Sequence, residues 1–162
     1  PGAGGLLYLP YLAGEKAPIW DPKARGVFFG MGLGSNYGDF LRAVMEGVAF
    51  SMQDCISIMP GSQDKSRPIP IGGGVANSQV WCQIFADVLD RPVIQLKSNE
   101  TETLGDVIIA AQSIGLKEIP YNFGKRLAQG GRLLEPRKEA AALYQQQFDK
   151  YKRLYQQIKD LY

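Results

Sequence analysis

The 162 residues carry 18 Lys and Arg against 16 Asp and Glu, a formal charge of +2, and 45% of them are hydrophobic. A chain of this size hides roughly 68–70% of its unfolded surface, which predicts one globular domain over residues 1–162 and excludes disorder. Balanced charge without a basic block argues against nucleic-acid binding, and the absence of histidine removes Ser-His-Asp and Cys-His nucleophile pairs, His zinc ligands and imidazole acid–base chemistry.

The apolar run from Leu6 to Leu9 closes at Pro10. The stretch Ala13 to Pro22 holds two prolines and cannot be helical throughout, so it reads as an ordered surface loop. Gly26 to Met31 predicts a buried strand, and Gly32 to Gly38 a turn. Ser35 or Asn36 then caps a long amphipathic helix, in which Phe40, Leu41, Val44, Met45, Val48, Met52, Cys55, Ile56 and Met59 recur at spacings of three and four until Pro60-Gly61. A polar turn from Ser62 to Arg67 leads to the strand Ile69-Pro70-Ile71, which runs into Gly72-Gly73-Gly74. Asn77 is the expected cap of the next helix, through Leu89, with Val80, Ile84, Phe85, Val88 and Leu89 on one face. Arg91-Pro92 ends it. Val93 to Leu96 predicts a strand, Lys97 to Thr101 a loop, and Leu104 to Ile114 an apolar helix stopped at Gly115. The residues from Lys117 to Glu135 read as loop. Pro136 suits the first turn of a last helix with Leu143, Tyr144, Phe148, Tyr151, Leu154, Tyr155, Ile158 and Leu161 at helical spacing. Alternating strands and helices predict an α/β fold with helices packed on a sheet.

Cys55 and Cys82 fall within helical apolar patterns, which predicts reduced core thiols and a cytoplasmic protein. No apolar run reaches the ~20 residues of a membrane span. The opening Pro1-Gly2-Ala3-Gly4-Gly5 has neither an initiator Met nor a charged, apolar signal segment, so the sequence is expected to start within a longer protein.

The sharpest local feature is Ile71-Gly72-Gly73-Gly74-Val75-Ala76-Asn77, a strand end, three glycines and a helix start. Such a turn lets a ligand approach backbone that a Cβ would shield, beside unpaired helix N–H groups. It matches neither a Walker loop nor a dinucleotide fingerprint. By spacing alone it is either a nucleotide site or a plain tight turn.

Several blocks together resemble the FGGY carbohydrate kinases. Gly14 to Met31 is similar to the conserved carboxy-terminal segment of that family, and Asp39 to Phe50 to the helix after it. Gly72 to Asn77, continued by Trp81 to Leu89, resembles the adenosine motif, and Leu104-Gly105 with the helix behind it the element that follows. The resemblance spans residues 6 to 155 and lies closest to the xylulose and gluconate kinase branches.

The resemblance implies the second lobe of an actin-like ATPase (ribonuclease H-like) fold, in which two α/β domains close around ATP and a sugar. By position, Gly73 and Asn77 would contact the adenosine part of ATP, Gly72 and Gly74 would shape the backbone around it, and Gly30 to Gly34, including Gly30 and Gly34 themselves, would lie near the nucleotide. Arg42 and Glu46 form either an i,i+4 surface pair or a hinge contact between lobes. Asp21 and Arg25 are expected to fix the shape of their loop, and Asp87 and Asp106 to be structural or solvated; Asp106 stands where the family commonly has a small residue. The sugar lobe, the proton-accepting aspartate, the first phosphate-binding turns and the hairpin that opens the second lobe are expected upstream, so no catalytic residue and no metal ligand is assigned here.

Phosphoryl transfer needs positioning, metal-assisted charge neutralisation and a base. The implied function is therefore the ATP-binding part of a kinase that uses Mg-ATP to phosphorylate a sugar, polyol or sugar acid. The chain alone is expected to be catalytically silent, with ATP or ADP as ligand, the sugar bound through the other lobe, and self-association through a bare strand edge as a further expectation. The alternative is a non-catalytic actin-like interaction or regulatory module whose glycine turn is structural.

Overall fold

The computed structural model describes residues 1–97, 101–116 and 130–162. Within them lie two small sheets joined by long helices. β1 (Leu7–Leu9) pairs antiparallel with β2 (Val27–Phe29), with Tyr8 opposite Phe28. All three residues of β1 are buried, as their unbroken apolar run requires, whereas Phe28 and Phe29 of β2 are exposed. The expected buried strand is thus shorter and more open, because β1 is its one partner among the described residues.

α1 (Tyr37–Ser57) starts at Asn36, whose side chain accepts the Gly38 and Asp39 N–H groups while Asp39 accepts from the Asn36 backbone. Such a capping box replaces orphan helix-end partners and contributes about 1 kcal/mol. Of the two expected caps, Asn36 is the one used; Ser35 closes the preceding turn by accepting the Gly32 N–H. The helix ends two residues before Met59, which is exposed. Gly47 lets α1 ride directly on β1, since a Cβ there would collide with the Tyr8 carbonyl oxygen.

The second sheet has the order β3 (Ile69–Ile71), β4 (Val93–Gln95), β5 (Arg132–Leu134), with β3 and β4 parallel and β5 antiparallel to β4. β5 lies in the stretch expected to be loop. It is three residues long, and its alternation is a single exposed Leu133 beside a buried Leu134, too little for a periodicity to show. Residues 117–129 of that expected loop, and 98–100 of the loop before it, lie outside the described residues.

α2 (Gln79–Leu89) crosses from β3 to β4 and packs between α1 and the last helix. Its cap is Ser78, not Asn77: Gly73–Asn77 forms a short 3-10 turn, and the Ser78 hydroxyl accepts the Trp81 N–H at 3.3 Å. Two adjacent residues able to cap make this one-residue shift invisible to pattern. Val80 is exposed rather than core, while Ile84 to Leu89 are buried on every side because helices flank both faces. α3 (Thr101–Ser113) begins three residues before Leu104 and closes at Gly115, where the Leu116 N–H reaches the Ala111 carbonyl. Of its apolar side chains, Ala111 is buried while Val107 and Ile109 are exposed.

α4 (Lys138–Ile158) has Arg137 as its N-cap residue, which leaves Pro136 just outside the helix rather than in its first turn. Its aromatic seam, Tyr144, Phe148, Tyr151, Leu154 and Tyr155, is buried against β1, α1 and α2, with Phe50 of α1 in ring contact with Tyr144, Phe148 and Tyr151. Leu161, in a terminal 3-10 turn, is exposed and outside that seam.

Candidate functional site

β3 and β4 run parallel, and their carboxyl ends open on a cavity of about 470 Å³ lined by Ala76, Asn77, Gln95, Leu96, Lys97, Gly130, Gly131 and Arg132. Clefts at the carboxyl ends of parallel strands are where α/β folds bind ligands, because the turns there bring helix starts and strand ends to one place. The glycine turn leads straight into it: Gly72 continues extended from β3, Gly73 takes φ +65°, and the 3-10 turn carries Ala76 and Asn77 to the cavity wall. The Gln95 side-chain amide donates to the Ala76 carbonyl at 2.6 Å, tying the end of β4 to this turn.

The glycines differ in what the fold asks of them. Gly73 needs its left-handed backbone, so glycine there serves the turn itself. Gly74 has no such backbone, and a Cβ built on it would meet no atom within 4 Å. Neither conformation nor packing requires a glycine at 74.

Of the predicted site residues, Asn77 lines this cavity; Gly72, Gly73 and Gly74 lie just before it in the turn, and Gly30 and Gly34 are not among its lining residues either. Gly30 follows β2 at φ +88°, where a Cβ would press on the Gly5 carbonyl oxygen at 2.9 Å. It is a close-packing glycine between backbones. Gly34 sits in an open turn closed by the Ser35 N–H on the Gly32 carbonyl, beside the fully exposed Leu33.

Apart from Asp106, the charged residues singled out above have structural partners. Glu46 is buried, which corrects the surface pair expected with Arg42. One of its oxygens accepts from Arg42 Nε at 2.7 Å, from the Tyr144 hydroxyl at 2.6 Å and from the Gly2 backbone N–H at 2.9 Å. Burial and the neighbouring carboxylate push the Tyr144 phenol well above its ordinary range. Asp87 is fully buried and accepts four donors: the Arg137 backbone N–H at 2.8 Å, Arg137 Nε and Nη2, and Gln83 Nε2 at 3.0 Å. It is an anchor for α4, and Asp106 is solvent-exposed on α3. Asp21 accepts the Lys23 N–H and the Tyr155 hydroxyl, bonds that hold its carboxyl below the ordinary carboxylate range, the tyrosine first. Arg25 donates to the carbonyls of Pro22, Lys23 and Ala24. Both therefore hold their loop in shape.

Cys82 is buried and Cys55 half-buried, both are free, and burial raises both thiols above their ordinary value. Neither is poised as a nucleophile. Among the described residues no group of three His, Cys, Asp or Glu is placed to hold a metal ion, and no helix is long and apolar enough to cross a membrane.

Pattern reasoning missed Gln95, Lys97, Gly130, Gly131 and Arg132. The paired glycines before a cation at 132 were the available signal, but only the pairing of Gln95 with Arg132 across β4 and β5 brings them to Asn77.

A sequence profile of the "FGGY family of carbohydrate kinases, C-terminal domain" matches residues 1–114. A xylulose kinase of Staphylococcus epidermidis is 36% identical over 160 residues, 99% of this chain and 32% of that protein. Among solved structures, a ligand-bound xylulose kinase from Lactobacillus acidophilus superposes with a TM-score of 0.79 at 32% identity, covering 98% of this chain and 32% of the other. A gluconate kinase from the same organism gives 0.78 at 32% identity, covering 97% and 32%. The chain spans about a third of the length of these relatives.

Proposed function

This chain belongs to the FGGY family of carbohydrate kinases as its C-terminal domain, with the α/β second lobe of the actin-like ATPase fold, and from that premise we propose that it is the ATP-binding part of a carbohydrate kinase. The observation that carries the reading is Asn77 on the wall of a cavity at the ends of two parallel strands, reached through a turn in which Gly74 is a glycine without a structural reason. The cavity is of a size for a nucleotide, within the ~300–1,000 Å³ of small-molecule sites. Gly73 and Gly74 present open backbone to the adenosine part, and the Asn77 side-chain amide offers both a donor and an acceptor to it. Gly72 sets the direction of the turn. Gly30 and Gly34 are proposed to lie near the nucleotide from the β2 side.

When bound, ATP would supply the γ-phosphoryl group for transfer to an alcohol, with Mg2+ as the cation that offsets its charge. The chain's own residues hold and orient the nucleotide. The base for the attacking hydroxyl and the sugar contacts are assigned to the rest of the kinase, so residues 1–162 act as one nucleotide-binding lobe without turnover of their own. The names of the relatives support a ketopentose or sugar-acid substrate such as xylulose or gluconate. Reduced thiols at Cys55 and Cys82 support a cytoplasmic setting.

Calorimetric titration with ATP and ADP in Mg2+ tests this, beside Gly74→Ala and Asn77→Ala. Saturable binding by the parent, lost or weakened at least tenfold in both variants with unchanged melting temperature, is expected. Binding untouched by either substitution would show the glycine turn to be purely structural.

A further inference from the structure

A second concavity, of about 450 Å³, lies between α4 and the first sheet and shares no lining residue with the cavity at the glycine turn. Leu7 and Phe29 stand opposite each other in the β1–β2 register and so point to the same side of the sheet, toward this groove. On the other side Phe28 packs its ring against Tyr8 and Phe40, at 4.5 and 5.1 Å between centroids. Phe29 has no such ring partner among the described residues and is 55% exposed. From α4 come Leu154 and Ile158 with Lys150, Arg153 and Gln157, one helical stripe at spacings of three and four. Leu7 and Leu154 are buried and make the floor.

The charge on this groove is one-sided. Lys150 and Arg153 are exposed one helical turn apart, neither meets a carboxylate at ion-pair distance among the described residues, and no carboxylate lines the groove. Like charges one turn apart repel, and an anion between them relieves both. Cations on the rim and hydrocarbon on the floor match a ligand with two ends: an apolar skeleton that displaces water from the floor, and a charged head that stays at the wet rim. The volume falls within the ~300–1,000 Å³ of small-molecule sites, and the groove is lined from two sides, α4 and the β1–β2 sheet.

We propose that this groove binds a small amphiphilic acid, a monocarboxylate on an apolar skeleton, with the skeleton against Leu7, Phe29 and Leu154 and the carboxylate between Lys150 and Arg153. The site is separate from the glycine turn and does not depend on the nucleotide reading.

Titration of the 162-residue protein, followed by backbone amide NMR shifts, compares octanoate with octanamide, which keeps the skeleton and drops the charge, and with acetate, which does the reverse. Octanoate is expected to shift the amides of Gly5 to Leu7, Phe29 and Lys150 to Ile158 saturably and to bind about fivefold or more tighter than octanamide, the scale of two solvent-exposed ion pairs. Acetate leaves these amides unmoved, and added salt weakens octanoate alone. Lys150→Gln combined with Arg153→Gln brings octanoate down to the octanamide affinity and leaves octanamide unchanged, whereas Phe29→Ala weakens both. All three positions are exposed, and matched melting curves check that the variants fold. Equal affinity for octanoate and octanamide, or octanoate binding indifferent to the two cations, overturns the proposal and makes the groove an apolar face for another part of the kinase. Absence of saturable shifts at these amides, or shifts confined to other surfaces, overturns it as well, and the nucleotide reading stands in every case.

Discussion

Glu46 shows how much one buried carboxylate can organise. It gathers a guanidinium from its own helix, a phenol from α4 and a backbone N–H from the amino-terminal turn. Removing one donor from a buried acceptor costs about 1–3 kcal/mol. Tyr144→Phe should therefore lower stability by about 1–2 kcal/mol with an unchanged denaturant slope, and Glu46→Ala by more, because Arg42 loses its carboxylate. Urea unfolding of both variants measures this; equal and negligible losses would mean that the hydroxyl and the carboxylate are independent of folding. The i,i+4 spacing of Arg42 and Glu46 was plain in the sequence. Its burial was not, since the covering residue, Tyr144, is 98 positions away. Gly47 is a second case: Gly47→Ala is expected to cost several kcal/mol or to prevent folding, because the collision is with backbone at Tyr8, which cannot swing aside. Thermal melting reads the result directly.

At the scale of elements, α4 is held to the rest of the lobe by phenols. Tyr11 and Tyr151 hydroxyls lie 2.7 Å apart, Tyr155 reaches Asp21 at 2.8 Å, and Tyr162 donates to the Arg25 carbonyl. Burial raises Tyr11, Tyr144, Tyr151 and Tyr155 above the ordinary value of 10, Tyr155 to about 12. A raised folded value means that the neutral form is the one the fold favours. Its stabilisation is complete below about pH 10, where the unfolded tyrosines titrate, and is lost as pH rises from there through the folded values. Denaturation midpoints should begin to fall near pH 9, where the unfolded thiols of Cys55 and Cys82 titrate, and fall steeply above pH 10 as the tyrosines follow, with Tyr155→Phe blunting the upper part of the fall. A midpoint constant to pH 12 would contradict this. Asp87 fastens the other end of α4, and Asp87→Ala is expected to destabilise by about 1–3 kcal/mol, because it strands the Gln83 amide and the Arg137 backbone N–H while the half-exposed Arg137 guanidinium turns to solvent. Amide hydrogen exchange should then be fastest in the first turns of α4.

The helices were legible because their apolar residues repeat over 11 to 21 positions, so that α1, α2 and α4 announced themselves. Their boundaries were less so. Ser78 outcompetes Asn77 as a cap only because the preceding glycines form a 3-10 turn, and Arg137 displaces Pro136 from the helix because its own N–H and side chain are held by Asp87. Strands of three residues carry no usable period, and β5 emerges only from its pairing with β4.

For the whole molecule, the sequence order brings the glycine turn to the mouth of a cavity, and the order of pairing completes that cavity from the opposite side. Gly72 to Asn77 was readable as a motif. Lys97 and Arg132 were not, because a cation near a strand end has no distinctive spacing, and only the antiparallel return of β5 sets Arg132 beside Gln95. The two sheets divide the fold: β1 packs with α1 and α4, and β3 to β5 with α2 present the edge on which the cavity opens. We propose that a nucleotide sits on this edge. Backbone amide NMR shifts recorded during titration with Mg-ADP test it most directly. Saturable changes are expected at Gly72 to Asn77, Gln95 to Lys97 and Gly130 to Arg132, with smaller ones at Gly30 to Gly34 and the amides of α4 undisturbed. Saturable changes confined to other surfaces, or none at all, would contradict it.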